Sequence, residues 1–303
     1  MSFRRYALER IVATVGVLFL ALVVVFLICH VAGPPKLGPG PQVDSNYLRY
    51  AHESFGDYLW RLIAHQSFAR PFFSDASVAS LIFKASTVTL SLVGWALFLG
   101  LLVAVPLGVL WDRRPRWTVR PASVFVYLAI SAQLIWVGLW ASYLLGYRTH
   151  VFPLADYADF FNPPHGQPGG PIQWAYHLIL PGLVLGLPVA AIYTRVIRAL
   201  SRNVRHAGAE AAPADRAEAV RNARSAAFVV LLKGLLRDVG FLIGLAVFVE
   251  SVFQLPGLAR LVLVGDTPVV EGALIVATLV AVAIHLAGNL IGGAVSEQWR
   301  AGS

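Results

Sequence analysis

Charge is scarce in this sequence. Of its 303 residues only 13% are Asp, Glu, Lys or Arg, while 57% are hydrophobic. A chain so poor in charge and so rich in apolar side chains is excluded from the ordinary soluble globular class. Cysteine is nearly absent as well. Cys29 is the only one, so no internal disulfide can form, and its position inside an apolar run gives it the character of a small buried hydrophobe. Signatures of chemistry are also missing. There is no Gly-x-x-x-x-Gly-Lys-Ser/Thr loop to cradle nucleotide phosphates, no His-Glu-x-x-His pair and no Gly-x-Ser-x-Gly elbow. The eight histidines are scattered without metal-ligand spacing. These absences weigh against an enzyme, and no catalytic, cofactor-binding or metal-binding residue is assigned.

What the sequence does contain is a series of long apolar runs. A helix needs roughly 20 mostly apolar residues to cross the hydrocarbon of a bilayer. Such runs extend over about Ile11–Val31, Leu81–Leu110, Ser123–Leu145, His177–Ile197, Val239–Phe253 and Gly272–Val295. The first follows Arg4, Arg5 and Arg10 in the manner of a signal peptide. It is too long for one and lacks a clear small-x-small cleavage site, so it reads as an uncleaved signal-anchor helix. Between the first two runs, Gly33–Ala79 is polar and proline-rich and reads as an extramembrane excursion.

The formal net charge is +8 at pH 7, and the basic residues cluster at the N-terminus, in Arg113–Arg120, in Arg195–Arg237 and at Arg300. These clusters fall in alternate gaps between the six runs. Positive charge near span ends marks the cytoplasmic side, so both termini are expected in the cytoplasm. The charge is therefore a topology signal, and without a basic-aromatic motif it does not indicate nucleic acid. The expected fold is an all-α membrane protein of six transmembrane helices. Residues 1–32 form the N-terminal helix, 33–80 the extracytoplasmic excursion and 81–303 a core of five helices, with a cytoplasmic loop of about 198–237 between the fourth and fifth spans.

Pro106, Pro181 and Pro188 fall inside these runs, where each removes a backbone donor and is expected to kink its helix. His285 and Asn289, one turn apart in the sixth run, are candidates to face a cavity; hydrogen bonding between helices and an interfacial position are the other readings.

Five segments, taken in order, resemble the dipeptide and oligopeptide (peptide/nickel) permease subunits of ABC importers. They are Arg4-Arg5-Tyr-Ala-Leu-Glu-Arg10 with Ala32-Gly-Pro-Pro35, then Ser86-Thr-Val-Thr-Leu-Ser-Leu92, and His177-Leu-Ile-Leu-Pro-Gly-Leu-Val-Leu-Gly186 with Tyr193-Thr-Arg-Val-Ile-Arg198. The last are Glu250-Ser-Val-Phe-Gln-Leu-Pro-Gly-Leu-Ala-Arg260 and Thr267-Pro-Val-Val-Glu-Gly272. The likeness singles out Glu250, Phe253, Pro256 and Gly257 in the loop before the last helix.

The resemblance also implies that the loop between the fourth and fifth spans docks on an ATPase. Arg205, Gly208, Glu210, Pro213, Arg216, Arg221 and Asn222 are the residues at those positions. The loop departs from the family pattern by being several residues short. Aligning Arg221-Asn-Ala223 puts Gly208 on the family glycine, whereas counting back from Val252-Phe253 puts Ala212 there. Pro213 is expected to start a second short helix, where its missing donor costs little.

What the resemblance implies is a non-catalytic, multi-pass permease subunit of the bacterial inner membrane. It would form half of a pathway for peptides or similar small solutes that works by alternating access. Its partners would be a second homologous permease, two ABC ATPase domains, an extracytoplasmic solute-binding protein and the lipid bilayer. ATP and magnesium would be used by the ATPase partner, with no cofactor bound by this chain. A secondary carrier is the rival within transport, although inverted repeats and charged midplane residues are lacking. An intramembrane hydrolase or lipid-modifying enzyme is the rival from a different class.

Overall fold

The computed structural model describes residues 3–31, 54–64, 77–113, 124, 134–153, 157–158, 160, 170–264 and 267–301. Every regular element among them is helical. Helix α1 (Phe3–Phe26) continues as a π-helical turn, Leu27–Val31, and the short α2 spans Phe55–Ala64. Helix α3 covers Val78–Arg113, and α4 covers Leu134–Ala141 before passing into a π-helical segment, Ser142–Arg148. Three long helices follow, α5 (Pro171–Glu210), α6 (Arg216–Val252) and α8 (Thr267–Ala301), with the seven-residue α7 (Leu258–Val264) between the last two. Most of the Gly33–Ala79 excursion and the Arg114–Arg120 linker lie outside the described residues.

Among the described residues, four helices are long and apolar enough to cross a membrane, over Leu8–Cys29, Val78–Trp111, Pro171–Glu210 and Val269–Leu290. Helices are the natural outcome for such sequences, because hydrocarbon offers no water to satisfy backbone groups. Of the two remaining expected spans, the third is described only from Leu134 onward. The fifth lies within α6, whose apolar residues are interrupted by Lys233, Arg237, Asp238 and Glu250. Pro106, Pro181 and Pro188 all lie inside unbroken helices.

The centre of the bundle is the pairing of α3 with α5. An alanine–glycine ladder runs along α3 at four-residue spacing, Ala96, Gly100, Ala104 and Gly108, and a second along α5, Gly182, Gly186 and Ala190. All seven are buried. The contacts are close enough that a Cβ on Gly186 would sit 2.8 Å from the Ala96 carbonyl oxygen. One on Gly100 would sit 2.8 Å from Val189 Cβ, and one on Gly108 2.9 Å from Ile197 Cβ. Trp95 meets Gly182 at one end of the seam and Gly108 meets Ile197 at the other, so the two helices run parallel. This small-residue spacing is legible in the sequence itself.

Helices α6 and α8 pack antiparallel to one another. Gly288 of α8 accommodates Leu236 of α6, while a Cβ on Gly240 of α6 would sit 3.3 Å from Ala281 Cβ of α8. Helix α1 lies against α8, where Val25 and Cys29 share a buried cluster with Ile275 and with Tyr58 of α2. Helix α2 begins at a reciprocal cap: the Ser54 hydroxyl donates to Asp57 Oδ2 at 2.7 Å, and the Asp57 amide donates back to Ser54 Oγ at 3.3 Å. Large apolar side chains such as Val12, Phe19, Phe83, Phe98, Leu102, Phe228 and Phe241 remain exposed around the outside. Apolar exposure on this scale suits a surface bathed by lipid.

The segment of about 198–237 between the fourth and fifth expected spans is helical over most of its length. Its non-helical part narrows to Ala211–Asp215, and the residues on either side are the ends of α5 and α6. Pro213 also differs from expectation. It lies in the turn, three residues ahead of Arg216, the first residue of α6. The turn closes with the Asp215 amide donating to the Ala212 carbonyl at 3.0 Å, and the helix that follows is a long one of 37 residues.

The α3–α5 seam predicts a specific sensitivity. Gly186→Val drives a side chain into the Ala96 backbone, which cannot yield as a flexible side chain would. It should cost about 1–3 kcal/mol or more, read as a lowered unfolding midpoint of the purified chain in detergent. Gly94→Ala on α3 meets nothing within 4 Å and should not lower that midpoint.

Candidate functional site

Three clusters bring together polar residues from separate helices. The first is built on Glu250, which is fully buried near the end of α6. The Thr89 hydroxyl, from α3, donates to Glu250 Oε1 at 2.6 Å. The same Thr89 oxygen accepts the Leu258 amide at 2.8 Å, and Glu250 Oε2 accepts the Arg260 amide at 3.1 Å. Leu258 and Arg260 are in the first turn of α7, whose leading N–H groups have no partner within their own helix. A carboxyl group borrowed from α6 and a hydroxyl borrowed from α3 therefore cap α7 where solvent is excluded.

This arrangement accounts for the Glu250-to-Arg260 element residue by residue. Gly257 is obligatory, since a Cβ there would lie 2.2 Å from the Glu250 carboxyl carbon. Phe253 is 1% exposed and anchors the turn in the main core. It also lies beside Gly138 of α4, where a Cβ would be 3.6 Å from its ring. The Leu255 amide donates to the Glu250 carbonyl at 2.9 Å, and Gln254 takes a positive φ of 52° to make the reversal. Its carbonyl accepts from the Arg260 guanidinium. Pro256 is exposed in the turn. Thr89 is the residue that sequence reasoning missed, although it lies within the Ser86–Leu92 segment singled out there; nothing in the sequence couples it to a carboxyl group 161 residues away.

The second cluster ties α5 to α6. The Tyr193 hydroxyl donates to Asp238 Oδ2 at 2.8 Å, and Arg237 Nε donates to Asp238 Oδ1 at 3.0 Å. Gly234 opens the space for the ring, because a Cβ there would meet the Tyr193 hydroxyl at 3.2 Å. Beyond it the two helices continue as a hairpin. Gly208 is buried at its closest approach, where a Cβ would be 2.7 Å from Val220 Cγ2. Ala212 is exposed. Arg205, Glu210, Pro213, Arg216, Arg221 and Asn222 are all exposed around the hairpin. Arg221 pairs only loosely with Glu218 at 4.0 Å, and an exposed pair of that kind adds little stability.

His285 and Asn289 belong to a third cluster. They line a crevice of about 320 Å³ between α1, α6 and α8, together with Arg10, Thr14 and Arg237. None of these clusters has the geometry of a catalytic centre, and among the described residues no group of three or more His, Cys, Asp or Glu could hold a metal ion.

The Glu250 cap predicts that Glu250→Gln, which turns an acceptor toward solvent-free amides into a group with its own donors, should destabilise the protein by about 1–3 kcal/mol. Combining it with Thr89→Val should give a strongly non-additive double-mutant cycle in thermal unfolding. Pro256→Ala, exposed in the same turn, should change stability by no more than about 0.5 kcal/mol.

Comparison with known proteins agrees with this picture. Residues 96–298 match the family of binding-protein-dependent transport system inner membrane components, a range that includes α5, α6, α7 and the Glu250 turn. The chain is 25% identical over 323 aligned positions to glutathione transport system permease proteins of Escherichia coli, Shigella flexneri and Salmonella paratyphi A. Each alignment covers 97% of this chain and 98% of the relative. The secondary-carrier and hydrolase readings give way to this match. The chain belongs to the binding-protein-dependent transport system inner membrane component family, as a permease subunit of a bacterial ABC importer.

Proposed function

We propose that this chain supplies half of a translocation pathway that imports peptides or similar small solutes by alternating access. The relatives are named for glutathione, itself a short peptide, which supports that substrate class. A second homologous permease supplies the other half. An extracytoplasmic solute-binding protein delivers the solute, and two ABC ATPase domains hydrolyse ATP with magnesium. The chain itself binds no cofactor. It crosses the membrane six times with both termini in the cytoplasm. The parallel course of α3 and α5 supports that topology, since one complete outward crossing then fits between them.

The observation that carries the mechanism is the α5–α6 hairpin. Helix α5 has 40 residues, so it extends roughly 60 Å, about twice the hydrocarbon thickness. Its buried apolar residues run from Leu178 to Ile197, which leaves the segment from Arg198 to Glu210 as a projection beyond the core. Helix α6 returns beside it. Gly208 against Val220 and Tyr193 on Asp238 hold the two as one rigid body. An ATPase that grips the exposed tip moves the bundle without an intervening flexible joint, and rigid-body motion of that kind is what alternating access requires. Arg205, Glu210, Arg216, Arg221 and Asn222 form the gripped surface, and their exposure leaves them available to it. On the opposite side of the membrane α2 presents Trp60, 67% exposed, to the binding protein. Tyr47, the other candidate for that contact, lies outside the described residues.

Reversing the charges of the tip tests the lever. With the complex reconstituted in lipid, Arg216→Glu combined with Arg221→Glu should lower substrate-stimulated ATP hydrolysis by at least about tenfold, because like-charge juxtaposition at an interface costs several kcal/mol. Full assembly and full stimulation in that variant would rule out the hairpin as the coupling element.

A further inference from the structure

The described helices differ in what they turn outward. Along α1, α3, α6 and α8 the large exposed apolar side chains are Phe, Leu, Ile and Val, which carry no hydrogen-bonding group. On α4 and its π-helical extension the exposed residues include Trp136, Trp140, Tyr143 and Tyr147. Steps of four, three and four residues keep these on one face of the helix. Trp140 meets Tyr143 edge to face with ring centroids 6.3 Å apart, and Tyr143 stacks on Tyr147 at 5.9 Å. The face is an aromatic ladder edged with indole N–H and phenol O–H groups. Among the described residues, none of the four takes a hydrogen-bond partner through those groups.

The ladder is too deep for an interfacial belt, in which Trp and Tyr lie at headgroup level. Arg148 ends it on the outer side, and Trp136, twelve residues earlier, lies roughly 17 Å further in, past half of a hydrocarbon layer of about 30 Å. The packing gives a matching level. A Cβ on Gly138 would sit 3.2 Å from Val252 Cγ1, so Trp136 is close in depth to buried Glu250 and its partner Thr89. Donors turned toward lipid at that depth would be left unsatisfied. A tightly packed partner helix fits no better, because helices in membranes approach through small residues. The small residues of α4 and its extension, Gly138 and Gly146, are buried on the other side, against the bundle. Water is the environment that remains. Ser142 opens the π-helical segment between Trp140 and Tyr143, and its buried hydroxyl has no partner either. Such π-helical turns gather at functional sites.

Resting on the transport reading above, we propose that this face of α4 lines the outer half of the solute pathway and that its ring faces touch the passing solute. The chemistry suits a peptide-like molecule. Planar amides stack on the rings, an ammonium group is drawn to their negative faces, and the N–H and O–H edges donate to carbonyl or carboxylate oxygens. Contacts that are individually weak and repeated along the helix let a solute enter and still move on.

Cysteine accessibility tests the assignment. Cys29 is the only cysteine and is buried, so Cys29→Ser gives a cysteine-free background. Trp136→Cys, Trp140→Cys and Tyr143→Cys are introduced singly, with Leu90→Cys on α3 and Phe248→Cys on α6 as exposed controls of similar depth. The assembled complex in lipid nanodiscs, open to solution on both sides, is treated with a membrane-impermeant cationic methanethiosulfonate. The three α4 positions should react at least about tenfold faster than the controls, because the reagent needs a thiolate and a thiol held in hydrocarbon does not ionise. Reaction at Tyr143→Cys alone would reduce the ladder to an interfacial belt and overturn the proposal. Equal rates at all five positions, or no reaction on α4, would overturn it as well. The readout needs no identified solute. Unreactive α4 positions in a complex whose ATPase responds to solute sink this proposal alone, whereas an ATPase that never responds counts against the transport reading, whatever the labelling.

Discussion

Apolar burial does not hold helices together in hydrocarbon, because a lipid tail is as apolar as a leucine side chain. Close backbone approach and hydrogen bonds between helices must do so instead. The α3–α5 seam is the expression of that constraint here. Ala96, Gly100, Ala104 and Gly108 face Gly182, Gly186 and Ala190 so closely that an added methyl would strike backbone or a β-carbon. Helix α5 is the most enclosed of the membrane-length helices, with 61% of its most apolar window buried against 6% for α1. The α6 helix, the Glu250 turn and the hairpin are all positioned by reference to that pair.

The same constraint explains why a glutamate is tolerated at full burial. Ending α6 and starting α7 inside the bundle creates amide donors with nothing to receive them, and leaving them unpaired would be costly. Glu250 and Thr89 accept those donors, and Gly257 leaves room for the carboxyl group. The most family-like stretch of the chain is therefore structural: it joins α3, α6 and α7 at one point. That junction and the Tyr193–Asp238 contact lie at opposite ends of the apolar part of α6, so both ends of that part are tied to neighbouring helices. A displacement applied at the hairpin is then carried along α6 as a whole.

Much of the architecture was legible beforehand. The apolar runs at Ile11–Val31, Leu81–Leu110, His177–Ile197 and Gly272–Val295 correspond to the four helices of membrane-spanning character, because such a run in hydrocarbon has only the helix available to it. The helix boundaries between the fourth and fifth expected spans were not legible. Short helices were expected within 198–237, but arginine, alanine and glutamate are good helix formers, and α5 and α6 continue through it to leave only five residues unwound. Pro213 was placed in a helix by its usual preference for a first turn, while the tight reversal at Ala212–Asp215 claimed it.

Composition, hydrophobic run length and the ordered motifs determined by themselves that the chain is a helical membrane protein and to which family it belongs. Those properties depend on local sequence and on the surrounding solvent. Which polar residues meet was decided only by the tertiary structure. Thr89 finds Glu250, Tyr193 finds Asp238, and Arg10 shares a crevice with His285 and Asn289. The partners in these sets come from different helices, and their pairing is fixed by how closely the small residues allow those helices to approach. One sequence read along its length does not contain that distance.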